Sequence, residues 1–262
     1  MELYYIIFSS ALGAIIGSFL NVLILRHGTS RSLLGWSSCL SCAKKLEWYE
    51  LIPIVSFFVL RGRCASCKNA ISLQYPIVEA LTALVFVLIF FKTYPSLVLF
   101  FFFAAVFSIL IAIAVYDFRH KIIPDPFVFV FIALSFGAAL FRFLTYEIGF
   151  DFYLNIVGGP LLFLPFFLLW YFSKGRLMGL GDGKLALGIG WLFGFTLGFS
   201  AIILGFWLGA AVALCLLAYS RLWRGRGGFT MKSEIPFGPF LILGTLSVFV
   251  TDFNFFALGL GF

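Results

Sequence analysis

"PSLVLFFFFAAVFSILIAIAVYD" (residues 95–117) decides what kind of molecule this is. No charged residue interrupts it from Leu97 to Tyr116. About 20 apolar residues in a helix match the ~30 Å hydrocarbon core of a bilayer. The run then stops on an acid, Asp117. Working outward, seven more apolar runs appear, at about 3–25, 76–92, 126–144, 153–172, 184–198, 200–219 and 236–260. The run 184–198 is short and rich in glycine. Composition agrees: 63% of residues are hydrophobic and 11% charged, with a mean hydropathy of +1.11, whereas a soluble domain carries roughly 25% charged residues. The expected architecture is an all-α polytopic membrane protein with about eight transmembrane helices. Met1 to Tyr5 holds no basic residue and the first run is long enough to span. It therefore reads as a retained helix, not a cleaved signal peptide.

The formal net charge is +7. In a membrane chain a basic excess marks cytoplasmic loops beside anionic lipid. No RNA-binding signature and no basic stripe interleaved with aromatics occurs in a polar segment, so nucleic acid is set aside. Of the 18 Lys and Arg, all but Lys92 and Arg142 fall in four loops: 26–75, 117–125, 173–184 and 220–235. The positive-inside rule places those loops in the cytoplasm and both termini outside. That clean division requires the eight-helix count.

Loop 26–75 is the one long polar excursion. It carries Cys39-x2-Cys42 and, after 21 residues, Cys64-x2-Cys67. Each turn can present two thiolates to one ion, and this spacing is close to a zinc ribbon. Lys44, Arg63 and Lys68 favour ionised sulfur. A reducing cytosol argues against structural disulfides. Four thiolates leave no open coordination position, so the metal would be structural. The other reading is a pair of unmetallated or redox-active turns. Cys215, in an apolar run, reads as a small buried hydrophobe.

"GLGDGK" (179–184) sets a second acid, Asp182, between glycines and ahead of an apolar run. By the loop assignment Asp117 and Asp182 share one membrane edge. Carboxylates at such a place are expensive unless they work. Two of them a few ångströms apart share a proton, so that one can act as base toward water and the other as acid toward a carbonyl. Glycines beside Asp182 would let an extended peptide approach. Taken singly, each acid reads more simply as a loop or capping residue, Asp182 at the start of a helix and Asp125 between Pro124 and Pro126.

Together these stretches resemble the type IV prepilin peptidases, which are leader peptidases and N-methyltransferases. The resemblance is carried by "GSFLNVLILR" (17–26), "SCLSCAKKLEWYELIPIVSFFVLRGRCASCKNAISLQYPIVE" (38–79), "DFRHKIIPD" (117–125), "GLGDGKLALGIGWLFG" (179–194) and "IPFGPFL" (235–241). It implies that Asp117 and Asp182 form a catalytic pair. It also implies that the cysteine loop belongs to the zinc-containing, methylating branch of the family. The reaction implied is removal of a short basic leader from type IV prepilins or pseudopilins of pilus and type II secretion systems. S-adenosylmethionine would then methylate the new N-terminus. The setting would be the bacterial inner membrane, with the catalytic face cytoplasmic. No G-x-G-x-x-G fingerprint marks a methyl-donor site. Polar candidates in matched stretches are Glu47, Glu50, Tyr75 and Glu79, with Asn21, Arg26, Trp48 and Tyr49 beside them. Arg119 stands where many members have an acid, and "RHG" (26–28) where a proline commonly follows. The expected division is a first helix (1–25), a zinc-binding, methylation-associated loop (26–75) and a seven-helix peptidase domain (76–262). A transporter, a thiol oxidoreductase and a non-enzymatic assembly protein are the rivals. Transporters place carboxylates at midplane, whereas no charged residue occupies the middle of any run here.

Overall fold

The computed structural model describes residues 2–29, 32, 35–145, 150–222 and 235–260. Arg31, Arg224, Arg226 and Lys232, four of the residues used to orient the chain, lie outside them. The helices are α1 (Glu2–Arg26), α2 (Val55–Val59), α3 (Gln74–Thr93), α4 (Leu97–His120), α5 (Asp125–Thr145), α6 (Phe150–Ser173), α7 (Leu180–Leu222), α8 (Gly238–Thr251) and α9 (Phe255–Leu260). No strand occurs among the described residues. That is the outcome lipid imposes, because an α-helix satisfies its own backbone groups where no water can. Six helices, α1 and α3 to α7, are long and apolar enough to cross a membrane. The chain falls into two compact units, Met1–Ala112 and Ile113–Phe262, with the boundary inside α4.

In the first unit α1 packs along α3. Gly13 and Gly17 permit this, since a Cβ on either would sit 2.7 Å from the Cα of Ala83 or of Glu79. Small residues four apart are the usual means of close helix approach in lipid, where apolar area gives no net drive. Buried Asn21 adds a polar tie, its amide donating to the carbonyls of Gly17 and Tyr75 at 3.2 Å. At the other end of the pair Tyr5 stacks on Phe90 at 5.4 Å.

In the second unit α7 accounts for two of the apolar runs. Gly194 has φ 77 and ψ −179, a conformation essentially confined to glycine. Residues eight apart on a straight helix are separated by about 12 Å. Yet a Cβ on Gly198 would lie 3.2 Å from the Cα of Gly190. The chain therefore doubles back, and α7 is a hairpin of two helical arms, 180–193 and 195–222. Arg142 closes the end of the first arm by donating to the carbonyls of Trp191 and Leu192 at 2.5 and 2.7 Å. Those carbonyls have no partner within the arm. The Trp191 indole donates to Ile156 of α6 at 2.9 Å. On the second arm, Gly205 brings α8 close, its Cβ position lying 3.0 Å from Leu241 Cα.

The run 236–260 is not one helix. Asp252 takes a left-handed conformation (φ 53, ψ 26) and ends α8 after 14 residues. Asn254 then accepts the Phe256 N–H at 3.0 Å as α9 begins. Short polar side chains favour such local bonds over helix continuation.

Candidate active site

Asp117 lies in the last turn of α4. That helix stops three residues later, where Lys121 adopts φ 56 and its N–H bonds the Asp117 carbonyl at 2.7 Å. Asp182 lies in the first turn of α7. Lys184 reaches Asp125, the first residue of α5, at 2.5 Å and ties the starts of α5 and α7 together. Asp125 thus serves as an ion-pair partner at the helix start. Between these ends sits Ile123. A Cβ on Gly181 would be 2.9 Å from the Ile123 Cβ, and one on Gly238 would be 3.5 Å from its Cδ1. The glycines beside Asp182 thus have a packing role as well as leaving room.

The structure brings Asp117 and Asp182 together. Gly181, next to Asp182, and Gly238, whose N–H meets Asp117, both pack on Ile123. Asp117 is 5% exposed, and its Oδ2 accepts the Gly238 N–H at 3.1 Å. The Oδ1 of Asp182 is buried and has no hydrogen-bond partner among the described residues. A buried polar atom left this way calls for an explanation, and a reacting group or its water supplies one. Gly238 does not stand out as a site residue in the sequence. Its only signal there is its place in "IPFGPFL". A side chain at 238 would displace the Asp117 carboxyl, because its Cβ would stand 2.7 Å from Oδ2.

The four cysteines of loop 26–75 also converge. Their sulfurs lie within 4.8 Å of one another. Cys39 and Cys67 Sγ atoms are 3.8 Å apart, far beyond the ~2.05 Å of a disulfide. A tetrahedral ion with metal–sulfur bonds of about 2.3 Å has sulfur–sulfur edges of about 3.8 Å. The donor set therefore fits a structural zinc ion. Both halves are built alike. The Cys39 and Cys64 N–H groups donate to Lys44 and Asn69, both at 2.9 Å, and Ala43 and Lys68 take positive φ at equivalent positions. N–H groups of Cys42 and Ser41 turn toward the Cys39 sulfur and hold its thiol down at about 6. Those of Cys67 and Ser66 lower Cys64 in the same way.

The methyl-donor candidates fall in the first unit, as the cysteines do. Two of them are committed to local structure. Glu50 is buried, pairs with Lys44 at 3.2 Å and accepts the Glu47 N–H at 2.9 Å. That N–H and the ammonium together hold the Glu50 carboxyl below its usual range. Glu79 accepts the Ile54 N–H at 2.7 Å. Glu47 is exposed, and Tyr75 is half-buried with its carbonyl on Asn21.

Helices of bilayer length, two carboxyls at helix ends, and a cluster of four thiols that could hold a metal ion point to a multi-pass membrane protein. Residues 11–93 match the bacterial peptidase A24 N-terminal domain, and residues 104–214 match the type IV leader peptidase family. Proteins named prepilin leader peptidase/N-methyltransferase are similar over most of the chain. The one from Dichelobacter nodosus is 30% identical over 91% of this chain and 88% of its own length. The one from Bacillus subtilis is 30% identical over 91% of each. The one from Myxococcus xanthus is 30% identical over 86% of this chain, which spans 65% of that longer protein. The chain belongs to the type IV leader peptidase family. No solved structure matches it significantly.

Proposed function

We propose that this chain removes the leader of prepilins or pseudopilins with Asp117 and Asp182 as the catalytic pair, and then methylates the new N-terminus. The observation that carries the first step is the placing of the two carboxyls around Ile123, one held by Gly238 and one with a buried oxygen unengaged. Asp117, steadied as an acceptor by the Gly238 N–H, is the base that takes a proton from water. Asp182 carries the shared proton and gives it to the scissile carbonyl oxygen as the water oxygen bonds to carbon. Collapse of the tetrahedral intermediate then breaks the C–N bond, with a proton passing to the leaving amine. By the positive-inside assignment this occurs at the cytoplasmic edge of the inner membrane.

Gly238→Ala tests the arrangement without replacing either acid. The added Cβ displaces the Asp117 Oδ2, so kcat for leader cleavage should fall by about tenfold or more, ~1.4 kcal/mol in barrier. KM should change little. A wild-type kcat with the protein normally inserted would remove Gly238 from the site and break the argument for an oriented Asp117.

Methyl transfer is assigned to the first unit. The free amine of the cleaved pilin attacks the methyl of S-adenosylmethionine, S-adenosylhomocysteine leaves, and a base takes the amine proton. The candidates are Glu47, Glu50, Tyr75 and Glu79. The four cysteines, with zinc bound, would stiffen this loop; the ion supplies cross-linking and no open coordination position. Cleavage and methylation should then separate in one direction. Glu47→Gln should lower methylation more than cleavage. Asp182→Asn should still methylate a pilin supplied already cleaved, as read by mass spectrometry of its N-terminus. Failure of that rescue would mean that one site does both reactions.

A further inference from the structure

By sequence the segment "LIPIVSFFVL" (51–60) belongs to the polar loop 26–75, and its structure sets it apart. Ile54 has φ 62 and ψ −55, and Val55 N–H bonds the Pro53 carbonyl at 2.6 Å. This is a tight three-residue turn of the strained, rare hand, on a β-branched residue that seldom adopts it. It persists because the buried Glu79 carboxylate receives the Ile54 N–H. The Glu79 Cα is five residues past the start of α3, about 7.5 Å along it. α3 itself has 20 residues, about 30 Å, one bilayer core in length. The turn is therefore latched to the first two turns of α3, at the end where that helix enters the bilayer core.

Immediately after the turn the chain is apolar and uncovered. α2 carries Phe58 at 70% exposure and Val59 at 74%, with Val55 also exposed. Its exit is sharp: the Gly62 N–H bonds the Phe57 carbonyl at 2.8 Å and the Arg61 N–H bonds Phe58 at 3.0 Å, the two-bond pattern that commonly ends helices. Exposed Trp48 and Tyr49 precede the segment, and Arg61 and Arg63 come after it. An apolar face between aromatic rings and cations suits the boundary between acyl chains and anionic headgroups.

We infer that residues 51–60 form an elbow that dips into one leaflet and packs its Val55, Phe58 and Val59 face on phospholipid acyl chains, with the Glu79–Ile54 bond holding it at that depth. Loop 26–75 is then anchored to the bilayer at a third point besides α1 and α3. The test places a benzoylphenylalanine photo-cross-linker at Phe58, at Val59 and, as a control, at Leu40 of the first cysteine turn, in the full chain in native membranes. Positions 58 and 59 should give phospholipid adducts several-fold above position 40. Adding Glu79→Leu should reduce the position-58 adduct, while Glu79→Gln, whose carbonyl still accepts the Ile54 N–H, should retain it. Adducts at 58 and 59 to protein, whether a second copy, this chain's other helices or a pilin, would overturn the inference. So would lipid yields no higher than at Leu40, or yields indifferent to Glu79→Leu.

Discussion

Asp117→Asn and Asp182→Asn should each abolish leader cleavage while leaving the protein in the membrane. General acid–base groups contribute about 10²–10⁴-fold each, and two carboxyls sharing one proton act as a unit. Either single change should therefore cost about as much as both together. The structure gives each amide a distinct defect. At position 117 the acceptor toward Gly238 survives as a carbonyl, but no charge remains to take a proton from water. At position 182 the buried oxygen can still accept, but no acidic proton faces the substrate. Neither change alters volume by much, so the Ile123 contacts with Gly181 and Gly238 should hold. Activity of either mutant within about tenfold of wild type, ~1.4 kcal/mol in barrier, would sink the pair. A double mutant far worse than each single mutant would show two independent groups.

Loss of metal should be as drastic for loop 26–75 as loss of an acid is for cleavage. Structural zinc contributes about 10–16 kcal/mol of apparent binding free energy in small peptides. The two cysteine turns have little else to hold them. Cys39, Cys42 and Cys67 are not buried, and among the described residues of the loop the backbone bonds are those of short turns around the isolated bridges Ser38–Lys45 and Arg63–Ala70. The purified protein should contain about one zinc per chain. Cys64→Ser, which removes the one buried ligand, should release it and make residues 38–70 sensitive to protease, and methylation should fall with it. Cleavage should be less affected, because the aspartates belong to the other unit. Absence of stoichiometric metal, or disulfides joining these cysteines in the purified protein, would refute the site and revive the oxidoreductase reading.

The amino-acid sequence by itself determined that the chain is helical and membrane-embedded, because a bilayer leaves an apolar run of about 20 residues almost no other stable form. It also placed Asp117 and Asp182 at helix ends and paired the four cysteines by spacing, since C-x2-C turns are local. Where apolar runs met short polar breaks it was less informative. The run 236–260 reads as continuous, yet Asp252 and Asn254 divide it, because local side-chain bonds to the backbone outcompete the next helical turn. The arrival of the Gly238 N–H at Asp117, 121 residues away in the chain, left no local trace beyond a glycine. It depends on α8 lying against the second arm of α7, which the doubling back at Gly194 makes available. The commitment of Glu79 to Ile54 was equally hidden, since an acid near a helix start reads the same whether it binds a donor molecule or a strained turn. Tertiary structure alone decided these points. In lipid, apolar area does not select a helix's partner; close fit at small residues and a few buried hydrogen bonds do, and both depend on atoms that are remote in sequence.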